Sequence, residues 1–436
     1  MRPRHALLFL AILAIAGCTQ QSAGRVDAVD CRLDDPQYDN GIGMDTTLLA
    51  GLQDELLWCI ENNRTFDNGR ALALLDSFWP ENPTGIREVD RMNPLLWNNL
   101  AIRSGLIRMM VMQQNDPSYA PDFGPVLEKI RQYGFESGGY ATWYEGSGYL
   151  VYTLAAVRQA NLHFYSPELR DFEASSVRWL NDFALPDGTL APIGDTALGS
   201  AYAPENRQDR VAHTDHETAI TFDNGTGYLL FRHPVANLAP ASPIRNDLHT
   251  QFDFGSVWLW YNGSWRIRPI GYPGYPLKIA ENLDDKLSYN IQSAGRIGED
   301  FTQADFNSLD FMRYSNSWRA KTSATLPGGP VLVQEYPDRY ELAFSYALNT
   351  GEGGIYENYS RKITLYKGQK RLDITDSNPV ALSSSLLVSG DAIVSSAFPV
   401  SCSYGAKWSP AWGTVEESRR CSAGPGQALS YAVEWQ

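Results

Sequence analysis

Apolar positions between Asp45 and about Trp179 recur at the three-to-four-residue spacing of a helix face. They predict helices over roughly 46–62, 68–78, 94–114, 122–133, 147–162 and 168–183. Pro80, Pro83, Pro94, Pro117, Pro121, Pro167 and Pro186, with nearby Gly and Asn, punctuate them. Helices of this length with short joints predict antiparallel hairpins, as a bundle or as an α/α toroid. After Ala184 the apolar runs become β-branched and aromatic. Thr218 to Arg232 reads as two strands about an Asn224-Gly225 turn, with further runs at 256–261, 330–336, 341–347, 361–366, 371–375 and 386–394. That texture predicts an antiparallel, sandwich-type β domain after the helices, with the boundary near 185–215.

One stretch concentrates polar chemistry beside a core strand. From Phe254 to Tyr261 the chain reads as a strand closed by the Asn262-Gly263 turn. A period of two extended backwards puts His249, Gln251 and Asp253 on one face. A polar edge leading into a buried strand is the plain account. Tyr149 and Tyr152 are three apart at the start of a predicted helix and therefore share a face, beside an apolar face of Leu150, Leu154 and Val157. Tyrosines packing hairpin against hairpin explain that equally well. Asn98 and Asn99 are poor helix formers at the opening of another helix, where capping is the ordinary duty.

The N-terminus changes where this chemistry is expected to work. Basic Met1–His5 precedes an apolar run of eleven residues, Ala6 to Ala16, too short to span a bilayer. Ile15-Ala16-Gly17-Cys18 resembles a bacterial lipobox, which implies acylation of Cys18 and a membrane partner through that anchor. Thr19, rather than Asp, implies the outer membrane of a Gram-negative bacterium. The expected order is a signal peptide at 1–17, a polar tether at 18–42, a helical domain at 43–200 and a β domain at 201–436. With Cys18 lipidated, Cys31, Cys59, Cys402 and Cys421 remain, an even number in an oxidising compartment. Three connectivities are possible, and pairing sequence neighbours gives Cys31–Cys59 and Cys402–Cys421.

At 436 residues the chain has room for two or three cores. Its formal charge of −14 falls to −16 when Arg2 and Arg4 leave with the signal, which excludes non-specific nucleic-acid binding. An anionic polysaccharide is not excluded, because a basic cleft can sit on an acidic body. The 23 Tyr and 12 Trp fit aromatic sugar platforms and β cores alike.

Several of these segments, taken in order, resemble heparinase II/III-like polysaccharide lyases. Glu145-Gly146-Ser147-Gly148-Tyr149-x-x-Tyr152 is similar to the family's catalytic-tyrosine segment, and Pro192-Ile193-Gly194-Asp195 to its Gly-Asp turn. Asn224 to Arg232 is similar to its first β hairpin, and the His249 stretch followed by Gly271-Tyr272-Pro273-Gly274-Tyr275 to the opening of its β domain. Arg361–Leu365 and Leu372–Asp376 answer to its paired later strands. The resemblance implies an α+β multidomain protein, an incomplete α/α toroid followed by an antiparallel β-sandwich, that cleaves an acidic polysaccharide or oligosaccharide by β-elimination. It implies Tyr149 or Tyr152 as acid or base, His249 as partner in a cleft between the domains, and Asn98 or Asn99 on the uronate carboxylate. Leu100 and Gln251 stand where the family places histidines. A non-catalytic carbohydrate-binding lipoprotein therefore stays open, as does a glycoside hydrolase using Glu145 and Asp195 as paired carboxylates.

Relatives hold zinc through the second His of that run, a following carboxylate and a later His. Here those positions read Gln251, then Trp265-Arg266-Ile267-Arg268-Pro269, and no His follows His249. The expectation is no metal and no cofactor, with Arg266 or Arg268 supplying positive charge and Asp253 as a candidate partner for it. The anchor is checked by fractionation: Cys18→Ser should move the protein from the membrane fraction to the soluble fraction without unfolding it.

Overall fold

The computed structural model describes residues 31–33, 46–78, 98–133, 147–193, 196, 198–199, 202, 208–214, 217–233, 256–269, 271, 292–293, 331–349, 356–411 and 413–436. The protein is α+β. It divides into two compact units, one running to Asn181 with 193–196 and 200–202, the other taking 182–192, 197–199 and 203–436.

The first unit holds α1 (Thr46–Glu61), α2 (Asn68–Phe78), α3 (Asn98–Asn115), α4 (Gly124–Tyr133), α5 (Ser147–His163) and most of α6 (Pro167–Phe183). Each of the six lies on a segment that the apolar spacing predicted. Their starts carry local signals. Asp67 Oδ1 accepts the Arg70 amide at 2.9 Å to cap α2, and Ser166 Oγ accepts the Leu169 amide at 3.3 Å ahead of Pro167 in α6. The central helix is α3, which packs on α1, α2, α4 and α5. Apolar residues therefore run around most of it: Ile102, Leu106, Ile107, Met110 and Val111 are all buried. Gly105 leaves room for α4, since a Cβ there would lie 2.8 Å from Val126 Cγ2. Cys31 and Cys59 are disulfide-linked, closing the N-terminal end of the unit onto α1.

The second unit is built from antiparallel strands. The described strands are β1 (Arg210–His213), β2 (Glu217–Phe222), β3 (Gly227–Arg232), β4 (Val257–Tyr261), β5 (Ser264–Ile267), β6 (Gln292–Ser293), β7 (Leu332–Glu335), β8 (Arg339–Asn349), β9 (Tyr356–Tyr366), β10 (Arg371–Val388), β11 (Ile393–Ser396), β12 (Val400–Ala411) and β13 (Thr414–Glu434). The pairing path is β1-β2-β3-β4-β5-β10-β9-β8-β7, with β13 also on β10 and carrying β11 and β12. Asn262 and Gly263 both have positive φ, 48° and 82°, as a two-residue hairpin turn demands, so β4 and β5 reverse where the Asn-Gly pair predicts. One core gathers Ile220, Leu229, Leu259, Leu342, Ile363, Leu372, Leu386 and Val433 among others.

Two strand expectations need correction. The run 386–394 is not one strand: β10 ends at Val388, a turn closed by Ala392 N to Ser389 O at 3.3 Å follows, and β11 starts at Ile393. Gly390 and Asp391 in that turn override the apolar residues on either side. The strand placed at 371–375 instead continues to Val388, through Pro379. Because proline has no amide proton, the ladder with β13 skips from Ser377↔Ala428 to Leu382↔Gly426. Strands β12 and β13 have no counterpart in the sequence reading. Cys402 and Cys421 are direct cross-strand partners between them and form the second disulfide.

Arg361 on β9 faces Asp376 on β10 in register. Their groups meet as a fork, Nε to Oδ1 at 2.6 Å and Nη2 to Oδ2 at 2.9 Å, with both side chains almost wholly buried. Removing one partner strands a charge in the core. Asp376→Ala should lower unfolding free energy by about 3–5 kcal/mol, read by urea denaturation. The double change Arg361→Met with Asp376→Leu should recover most of it.

Candidate functional site

The segment resembling the catalytic-tyrosine motif enters α5 at Ser147. Gly148 donates its backbone amide to Thr196 Oγ1 at 3.2 Å, and Thr196 donates in turn to the Ile193 carbonyl at 2.5 Å. Thr196 directly follows Gly194-Asp195. The hydrogen bond thus ties the start of α5 to Thr196, 48 residues further along the chain. Tyr149 is in the first turn of α5, and Tyr152 lies one turn further on.

Tyr152 is buried at 5 % exposure, and its hydroxyl lies 3.4 Å from the Ala50 carbonyl of α1. The guanidinium of Arg103, from α3, sits over its ring at 3.2 Å from the centroid. Arg103 is fully buried and donates through Nη2 to Asp54 Oδ1 at 2.7 Å. Burial holds the Arg103 guanidinium below the usual arginine range and raises Asp54 above the usual carboxylate range, while their contact works in the opposite sense. Gln53 completes the layer, donating to the Leu100 carbonyl at 2.8 Å and to Ser104 Oγ at 2.6 Å. Leu100, where the family places a histidine, is buried and apolar at 6 % exposure. The arrangement anchors α5 on α1 and α3 from below, with a buried cation under the tyrosine turn.

Asn98 and Asn99 open α3, where unsatisfied backbone amides and the positive end of the helix dipole favour an anion. Glu145, Asp195, His249, Gln251, Asp253 and Cys18 lie outside the described residues, as do the side chains of Tyr149, Asn98 and Asn99. Among the described residues no three His, Cys, Asp or Glu side chains gather as a metal site would require. Nor is any described helix long and apolar enough to cross a membrane. Arg266 pairs with Asp391.

Sequence reasoning missed a second polar cluster, in the β unit. Glu217 and Arg232 are opposite each other in register on β2 and β3 and form a buried ion pair. Beside it, Thr218 Oγ1 lies 2.7 Å from His233 Nε2 and 2.8 Å from His213 Nδ1. Thr214 Oγ1 donates to Glu217 Oε2 at 3.0 Å. The polar-apolar alternation of Glu217 to Phe222 could not expose this, because β2 is buried at every position and the partners come from register.

No family model matches the chain, and no curated protein does. Among solved structures, the 4-α-glucanotransferase of Thermococcus litoralis aligns at 8 % identity with a TM-score of 0.28, covering 88 % of this chain and 55 % of that one. Neither fold nor activity transfers at that likeness.

Tyr152 gives a direct test of what its two ends do. Tyr152→Phe keeps the ring under Arg103 and removes only a long hydrogen bond, so stability should change by no more than about 1 kcal/mol. Tyr152→Ala removes the ring and should cost about 3–5 kcal/mol. Thermal and denaturant unfolding of the two variants check this.

Proposed function

We propose that this protein is a polysaccharide lyase of the heparinase II/III-like kind, in which an α/α toroid precedes a β-sandwich. Its substrate is an acidic, uronate-containing polysaccharide, and it works as an outer-membrane lipoprotein anchored through Cys18. The observation that carries the reading is the Gly148–Thr196 hydrogen bond, which joins two motifs that the resemblance names separately. The order of helices first and antiparallel strands after is the order such a lyase has.

In this reading the bond between C4 and its oxygen breaks as the C5 proton leaves. A bare carboxylate at C6 resists the developing carbanion and needs hydrogen bonds or positive charge. Asn98 and Asn99, at the amide-rich start of α3, suit that task. Tyr149 acts as acid or base with His249 as its partner. A free phenol titrates near 10, so such a tyrosine depends on nearby positive charge. Tyr152, packed against Arg103 and Ala50, fits a supporting role better than a proton-transferring one.

In sequence, Glu145 stands three residues before Gly148 and Asp195 directly before Thr196, which supports a second reading, a glycoside hydrolase on this scaffold. The products separate the two. Elimination leaves an unsaturated uronate that absorbs in the ultraviolet, and hydrolysis leaves a reducing end without it. On alginate, heparinoids and bacterial exopolysaccharides, the absorbing product should accumulate. Tyr149→Phe should cut its rate at least about a hundredfold with little change in stability. Reducing ends without ultraviolet product would instead select the hydrolase.

A further inference from the structure

The β unit contains a cavity of about 620 Å³, within the roughly 300–1,000 Å³ range of small-molecule sites. Its residues come from four places in the chain: the 185–199 segment, the β4–β5 hairpin with Arg268 beyond it, the turn after β10, and the end of β12. All belong to the second unit. Three indoles line it, those of Trp260, Trp265 and Trp408. Trp260 and Trp408 are each 8 % exposed, whereas Trp265 is half-buried and offers more of its surface to an occupant.

Two arginines reach the same cavity in different electrostatic states. Arg266 is already neutralised by Asp391, which also accepts from the Ser389 hydroxyl. Arg268 has no carboxylate in ion-pair contact among the described residues. Its guanidinium lies over the Trp408 ring at 4.3 Å from the centroid and donates through Nη1 to Ser418 Oγ at 3.2 Å. Its Nε is buried with no acceptor, and so is Trp408 Nε1. A half-buried cation whose hydrogen-bond partner is a neutral hydroxyl is costly unless something else supplies oxygen atoms with negative charge. A guanidinium pinned on an aromatic face and held at one nitrogen is also pre-set for a forked contact with an oxyanion.

The remaining lining residues narrow the anion. Asp187 at the rim accepts from the Thr189 hydroxyl and amide and has further lone pairs for donors. Asp187 and Asp391 repel a phosphate dianion, whose oxygens carry few protons to offer them. They suit a carboxylate monoanion that also carries hydroxyls. The half-buried face of Trp265 suits the C–H face of a pyranose ring, which is apolar.

We infer that this cavity is a saccharide-binding site for a uronate residue, with Arg268 receiving the carboxylate and Trp265 supporting the ring. The choice of a sugar among hydroxylated carboxylates rests on the proposed function. The requirement for a carboxylate rests on Arg268, held on the Trp408 ring. The site lies wholly in the β unit.

The test titrates the full-length protein with trigalacturonate, trimannuronate and neutral galactotriose, read by calorimetry and tryptophan fluorescence. An acidic trimer should bind and quench fluorescence, with galactotriose at least about tenfold weaker. Arg268→Gln should remove the preference for the acidic trimer, and Trp265→Ala should weaken binding of all trimers by about tenfold, with unchanged melting curves as the folding control. Should Arg268→Gln melt early, Arg268→Lys keeps the charge, loses the fork and should fall between the two. Binding that is equal for acidic and neutral trimers, untouched by Arg268→Gln, or absent for both acidic trimers overturns the inference. Trimer affinity and ultraviolet-absorbing product are read separately, and wild-type binding without any eliminated product would sink the lyase reading alone.

Discussion

A strand in the middle of a sheet must satisfy its amides and carbonyls on both edges at once, and β10 carries that demand for the whole β unit. It pairs with β9 and β13 over its first half, and with β13, β6 and β5 further on. Pro379 interrupts the ladder where one donor is missing. The buried Arg361–Asp376 fork sits just before that interruption, where β9, β10 and β13 are all still in register. An ion pair taken out of water adds little net stability against an apolar isostere but penalises any slip that separates its partners. A shift of one residue between β9 and β10 would part the two groups and turn both to opposite faces.

In the helical unit the comparable position belongs to α3. A central helix cannot keep a polar stripe for solvent, so its polar residues must find partners inside. Arg103 does so through Asp54 and the face of Tyr152, and Ser104 does so by accepting from Gln53 of α1. The Tyr152 ring therefore helps to solvate a buried cation. This orders α5, which presents Tyr149 one turn away.

The helices were legible because each carries its own period, its own stop signals and, for α2 and α6, its own cap. The Asn262-Gly263 reversal was legible because two consecutive positive φ angles demand those residues. Both disulfides follow the nearest-neighbour pairing. β12 and β13 were not legible. Their Ser, Gly and Arg content, with Gly405 and Pro425 inside them, has no strong β propensity, and it is pairing with each other and with β10 that makes them strands. For the same reason the Glu217–Arg232 pair and the Trp265–Arg268–Trp408 cavity escape a linear reading. Residues 268 and 408 share no local pattern, and only the strand connections bring a cation over that indole.

In the proposed lipoprotein, moored through Cys18, the Cys31–Cys59 bond would have a mechanical meaning. Drag on a polymer held by such a lipoprotein would reach the mooring as tension along the N-terminal segment. At Cys31 that tension has a covalent route straight to the last turn of α1, short-circuiting residues 32–58. The load is then borne by a helix end buried at Cys59 and Ile60, and the first turns of α1 are relieved of it. The disulfide acts as a strain relief, like the clamp where a cable enters its housing.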